Sequence, residues 1–120
     1  MNSDFICKNI SKSENSELLF AGVSTKELAE KYSTPLYLMD EDRIRELCRI
    51  YKSGAQQGFD GNAKIYYASK ANSFKAIYRI MAEEDMCIDV VSSGEIYTAF
   101  SAGFPMERAC FHSSNKTDAD

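Results

Sequence analysis

Lys70 is the residue of this sequence best suited to covalent chemistry. It stands just past the apolar run Lys64-Ile65-Tyr66-Tyr67-Ala68 and shortly before a stretch of helical periodicity. An amine on so short a turn is expected to be partly desolvated, and burial disfavours its charged form. Only a neutral lysine attacks an aldehyde to form a Schiff base. Position alone also allows a solvated lysine in a loop, so Lys70 begins as a candidate. Asp89 lies inside Cys87-Ile88-Asp89-Val90-Val91. An unpaired carboxylate is costly there, so Asp89 either pairs or serves a site. His112, the single histidine, ends another apolar run, where a structural role is as open to it as a functional one. Glu95 is more simply explained: Ser92-Ser93-Gly94-Glu95 has the S-x-x-E spacing of a helix capping box. Tyr66, Tyr67, Tyr78 and Tyr97 read as core and rim packing.

No metal site is expected. None of Cys7, Cys48, Cys87 and Cys110 stands in a C-x-x-C pair, and one histidine cannot complete a ligand set. Cys48, Cys87 and Cys110 lie in apolar-periodic segments and read as reduced core residues.

The elements that must position these side chains follow a rhythm. Pro35-Leu36-Tyr37-Leu38-Met39 reads as a first strand. Asp40 then caps a helix with the apolar stripe Ile44, Leu47, Cys48, Tyr51 and Ala55, and Gly58 lies just past its expected end. Residues 64–68 form the second strand, and a helix from Ser73 presents Phe74, Ile77, Tyr78 and Met81. Residues 87–91 form the third strand, and the Ser92 cap opens a helix that closes at Gly103. Residues 108–112 form the fourth. These strands begin near residues 35, 64, 87 and 108. Such intervals suit a strand, a three-turn helix and two loops. Alternation of this kind predicts an α/β fold with a parallel sheet of right-handed βαβ units. The strands read as continuous apolar runs, as strands covered on both faces do. In such folds chemistry sits at the C-terminal ends of the strands, where Lys70, Asp89 and His112 fall.

Ahead of this pattern, residues 1–17 are polar and predict a poorly ordered or peripheral start. Residues 18–34 form a leading segment. In it, residues 18–20 are a candidate strand, Ser24-Thr25-Lys26-Glu27 is a capping box, and a short helix ends before Pro35. Residues 35–120 make up the partial barrel domain. Net charge is −4 with the two signs interspersed, so no basic stripe marks a nucleic-acid partner. No run approaches the length of a membrane span, and no apolar signal segment opens the chain, so the cytoplasm is the expected location. A (β/α)8 barrel needs about 250 residues, so 120 residues are expected to be a truncated part of one.

Four blocks carry a resemblance. Tyr66-Tyr67-Ala68-Ser69-Lys70-Ala71-Asn72 resembles the Y-A-x-K-A-N segment of the alanine-racemase-fold, pyridoxal-phosphate-dependent decarboxylases that act on ornithine, arginine and diaminopimelate. Thr34-Pro35-Leu36-Tyr37 followed by Asp40 resembles their T-P-x-Y-x-x-D block. Asp89-Val90-Val91-Ser92-Ser93-Gly94-Glu95 resembles D-V-x-S-x-G-E. Phe111-His112-Ser113-Ser114-Asn115-Lys116 resembles the H-G-N-N-K block of the diaminopimelate branch, departing from it at Ser113-Ser114.

The resemblance implies the N-terminal part of a pyridoxal-phosphate-binding (β/α)8 TIM-type barrel, ending after about four βα units. It implies pyridoxal 5'-phosphate as cofactor and Lys70 as the residue that holds it. Asp89 is implied as an acid beside that lysine, with Ala68 and His112 also at the cofactor. It implies a small amino-acid substrate, meso-diaminopimelate, converted to L-lysine by a homodimeric full-length enzyme. This chain by itself is expected to be inactive. Ornithine, arginine or carboxynorspermidine decarboxylation and a non-catalytic relative are the alternatives.

Overall fold

The computed structural model describes residues 7–114, 116 and 117. The chain divides between Arg43 and Ile44 into two compact units.

The first unit holds a small antiparallel sheet, β1 (Ile10–Lys12), β2 (Leu18–Phe20) and β3 (Val23–Ser24), in the order β1-β2-β3. Phe20 pairs with Val23 around Ala21 and Gly22, both at positive φ. A two-residue hairpin of the right twist needs that conformation. A poorly ordered or peripheral start is the expectation for residues 1–17. Residues 1–6 lie outside the described residues, whereas Ile10–Lys12 is paired with β2. Helix α1 (Thr25–Tyr32) follows, and Ser24 Oγ accepts from Glu27 N–H at 3.4 Å as its spacing predicts.

The first predicted barrel strand is not formed. Residues 36–40 lie outside both sheets, and Tyr37 is 93% exposed. A short apolar run meets the composition of a strand, but it becomes one only when its backbone finds a ladder partner.

The second unit carries the parallel sheet. Helix α2 (Glu41–Phe59) opens with Asp40 Oδ1 accepting from Arg43 N–H at 3.1 Å. It runs through Gly58 and ends where Asp60 and Gly61 take positive φ, because a left-handed residue terminates a helix more firmly than an interior glycine does. Then come β4 (Tyr66–Ala68), α3 (Lys75–Glu83), β5 (Cys87–Val90), α4 (Ser93–Ser101) and β6 (Ala109–Phe111). The strands run parallel in the order β4-β5-β6. Three of the four predicted βα strands therefore form.

Register sorts the side chains by face. Tyr67 pairs with Ile88, Ile88 with Ala109, and Val90 with Phe111. This face packs with Ile77, Tyr78, Met81, Ala99 and Phe104 in one core. Ile88 and Tyr78 are fully buried, and burial of each such side chain contributes about 1.5–3 kcal/mol. Phe74, expected in the helical stripe, is instead exposed at the N-cap of α3. Cys48 and Cys87 are buried, but Cys110 is exposed, which corrects its reading as core. Partnered with Asp89, it lies on the opposite face from Ile88.

Candidate active site

The face away from the core carries the predicted site residues. Ala68 pairs with Asp89, and Asp89 with Cys110. Adjacent partners in a parallel ladder point the same way, as do residues two apart on one strand. His112 follows β6, and its N–H extends the ladder to Val90 O at 2.9 Å. Tyr66, Asp89, Cys110 and His112 together line an open pocket of about 270 Å³. Sequence reading assigned Tyr66 and Cys110 to packing. Their two-residue spacing from Ala68 and His112 was the signal that places them on this face.

Lys70 stands beyond the C-terminal end of β4, the middle residue of the 3-10 turn Ser69–Ala71. It lies two residues past the one that pairs with Asp89. It is exposed, so the desolvation expected of its turn is not supplied by the described residues. The turn itself is firmly held. Ser69 is fully buried at its base. Asn72 N–H donates to Ser69 O at 3.1 Å, and Tyr67 OH donates to Asn72 O at 2.9 Å. Asn72 Oδ1 accepts from Phe74 N–H at 3.3 Å, tying the turn to the start of α3. Burial pushes the Tyr78 phenol up. The Ser69 hydroxyl opposes that rise without reaching hydrogen-bonding geometry.

Asp89 is the electrostatic focus. Its Oδ2 is 3.9 Å from His112 Nδ1. Its Oδ1 is shut off from solvent with no hydrogen-bond partner. Ser69 Oγ and Tyr78 OH are likewise buried without a partner, although buried polar atoms are normally satisfied. Glu95 is accounted for structurally. Ser92 Oγ accepts from Glu95 N–H at 3.2 Å, and Glu95 Oε2 accepts from Val91 N–H at 2.8 Å. Asn115 lies outside the described residues. Among the described residues, no group of three or more His, Cys, Asp or Glu side chains could hold a metal ion.

The structure brings Asp89 and His112 together at one pocket, while Lys70 stands past the end of β4 and is not among the residues that line it. The family model of the pyridoxal-dependent decarboxylases, pyridoxal binding domain, matches residues 42–120. Over 107 residues the chain is 45% identical to the diaminopimelate decarboxylase of Bacillus methanolicus, covering 89% of this chain and 24% of that protein. Identity to the enzyme of the same name from Bacillus subtilis (strain 168) is 44% over 107 residues, covering 88% and 24%. The crystal structure of diaminopimelate decarboxylase from M. jannaschii in co-complex with L-lysine superposes with a TM-score of 0.77 at 32% identity, covering 92% of this chain and 26% of that one. The chain thus spans about a quarter of the length of these relatives.

Proposed function

The chain belongs to the pyridoxal-dependent decarboxylases, with pyridoxal 5'-phosphate as cofactor, and from that premise we propose that the whole protein converts meso-diaminopimelate to L-lysine with Lys70 holding the cofactor. The observation that carries the reading is Lys70 just past the C-terminal end of β4, on the sheet whose open pocket Asp89 and His112 line.

The residues present fit such a group. Lys70 Nζ is the amine that would bind its aldehyde, and it must lose a proton to do so. Ala68, beside Asp89 in the ladder, is small enough to leave the face open. Asp89 would accept a hydrogen bond and hold positive charge near the amine, with His112 bounding the pocket on the next strand. When bound, pyridoxal phosphate supplies the electron sink for the pair released as carbon dioxide leaves. Lys70 Nζ would also be positioned to hold or deliver a proton at the same point. The substrate is a small amino acid. In the sequence, His112, Asn115 and Lys116 favour diaminopimelate, whereas Ser113-Ser114 keeps ornithine-type substrates worth assaying. The same reading makes the protein a cytoplasmic homodimer. Among the described residues, no helix is long and apolar enough to cross a membrane.

Borohydride reduction of the cofactor-loaded full-length protein tests the assignment. The covalently tagged peptide is expected to contain Lys70. Lys70→Ala should lose the visible absorbance and most release of carbon dioxide from meso-diaminopimelate. Lys70→Arg should fail equally, because a guanidinium stays protonated. Lys64 and Lys75 are the controls. Lys64 precedes β4 at its other end, and Lys75 begins α3. Near-normal absorbance and turnover in Lys70→Ala would remove the reading.

A further inference from the structure

The 3-10 turn that presents Lys70 is only three residues long, Ser69–Ala71. It closes with Asn72 N–H donating to Ser69 O at 3.1 Å. Short 3-10 turns have poor hydrogen-bond geometry and rely on their surroundings. Here the surroundings include Tyr67, three residues before Lys70. Tyr67 pairs with Ile88 and packs against the core. Its ring therefore lies on the opposite sheet face from Ala68 and Asp89. From there its hydroxyl reaches past the end of β4 to the Asn72 carbonyl at 2.9 Å. That bond closes a loop around Ser69, Lys70 and Ala71, and Asn72 Oδ1 secures the far side to α3.

We propose that Tyr67 is a positioning residue for Lys70: its hydroxyl, by holding the Asn72 carbonyl, fixes the turn from which the cofactor-binding amine projects. The proposal rests on Lys70 being that amine. Burial, and after it the neighbouring Tyr78, push the Tyr67 phenol above its ordinary value, so it remains a donor throughout the neutral range. A reacting group displaced by about 1 Å can lose about 10²-fold in rate, so a turn fixed at Asn72 matters to the amine it carries. Tyr67 stays on the core side of the sheet and acts through Asn72, without touching the reacting atoms.

Tyr67→Phe keeps the ring and removes the donor. In the full-length protein without cofactor, the Asn72 amide should exchange with deuterium faster by about fivefold to tenfold, the population change one hydrogen bond of ordinary net strength controls. The dissociation constant for pyridoxal phosphate should rise by about the same factor. Ile80→Val, a truncation of a buried α3 side chain, gives a thermal cost without removing the tether and should leave that constant unchanged. A pyridoxal phosphate dissociation constant in Tyr67→Phe within about twofold of the parent would overturn the proposal, whatever the amide does. An equal rise in Ile80→Val would overturn it too. Borohydride tagging of the parent protein separates the two claims. A tag away from Lys70 removes the functional reading itself, whereas a tag at Lys70 with an unaltered Tyr67→Phe removes only the positioning role.

Discussion

The two oxygens of Asp89 are in different situations. Oδ2 lies 3.9 Å from His112 Nδ1, while Oδ1 is buried and unpaired. An acceptor left without a donor costs about 1–3 kcal/mol. The side chain is 29% exposed, so the lower end applies. Asp89→Val introduces a β-branched side chain suited to the strand and removes the orphan. It should raise the stability of the cofactor-free protein by about 1 kcal/mol while weakening pyridoxal phosphate binding by about tenfold or more. Thermal melts with and without cofactor would read both signs, and a loss of stability without cofactor would contradict the argument. Asp89 was legible as a site candidate because an acid within an apolar run needs an explanation. Cys110 was not, because an exposed thiol on an open sheet face has the same neighbours in sequence as a buried one. Only the pairing with Asp89 reveals which side it takes. The exposure of Lys70 was likewise outside what its position after a strand could determine.

At the level of elements, α2 and the end of α3 are joined through Glu84. Its carboxylate accepts from Arg49 at 2.7 and 3.0 Å and from Arg45 at 3.2 Å. Arg45 also bonds Glu83, and Lys52 donates to the Glu84 carbonyl at 2.8 Å. Cations at the C-terminus of a helix suit its dipole. The hydrogen bond from Arg49, ahead of that from Arg45, holds the Glu84 carboxyl below its ordinary value. A carboxyl depressed in the folded state contributes stability that is complete above its unfolded value, about 4.3. It is lost as the pH falls through the lower folded value. Glu84→Gln should therefore flatten the acid limb of the stability–pH curve below about pH 4.5, measured by urea unfolding across pH. An unchanged acid limb would assign the clamp no role in acid stability. The charged residues here carried no sequence signal, since the partners lie more than 30 residues apart. Helix starts were legible by contrast. Ser24, Asp40 and Ser92 all accept from the amide three residues on, and that chemistry is local. Residues 35–39 show the converse: apolar composition was local, but strand formation depended on a partner elsewhere.

For the chain as a whole, the decisive feature is a parallel sheet with one face packed and the other open. Tyr67, Ile88, Val90, Ala109 and Phe111 belong to the core cluster. Across the sheet, Tyr66, Cys110 and His112 are exposed. Among the described residues, β4 and β6 are the two edges of this sheet. Parallel sheets occur almost only with both faces covered, and unprotected edges offer a template for pairing with other chains. Helix α4 adds Tyr97 and Phe100, 71% and 69% exposed, to the apolar surface left in solvent. Ile88, at the middle of the sheet and fully buried, shows how much holds the packed side: Ile88→Ala should cost roughly 2–5 kcal/mol. The open side has no comparable source of stability. Produced as these 120 residues alone, the chain is expected to self-associate, with an apparent mass that grows with concentration in light scattering. Lys or Glu at Tyr97 and Phe100 should reduce that association, since charge on an exposed face opposes non-specific pairing. A monomer that melts sharply with dispersed amide resonances would show that α3, α4 and the central strand suffice as a folding unit. In that case the open face would be required only for the pocket at Asp89 and His112.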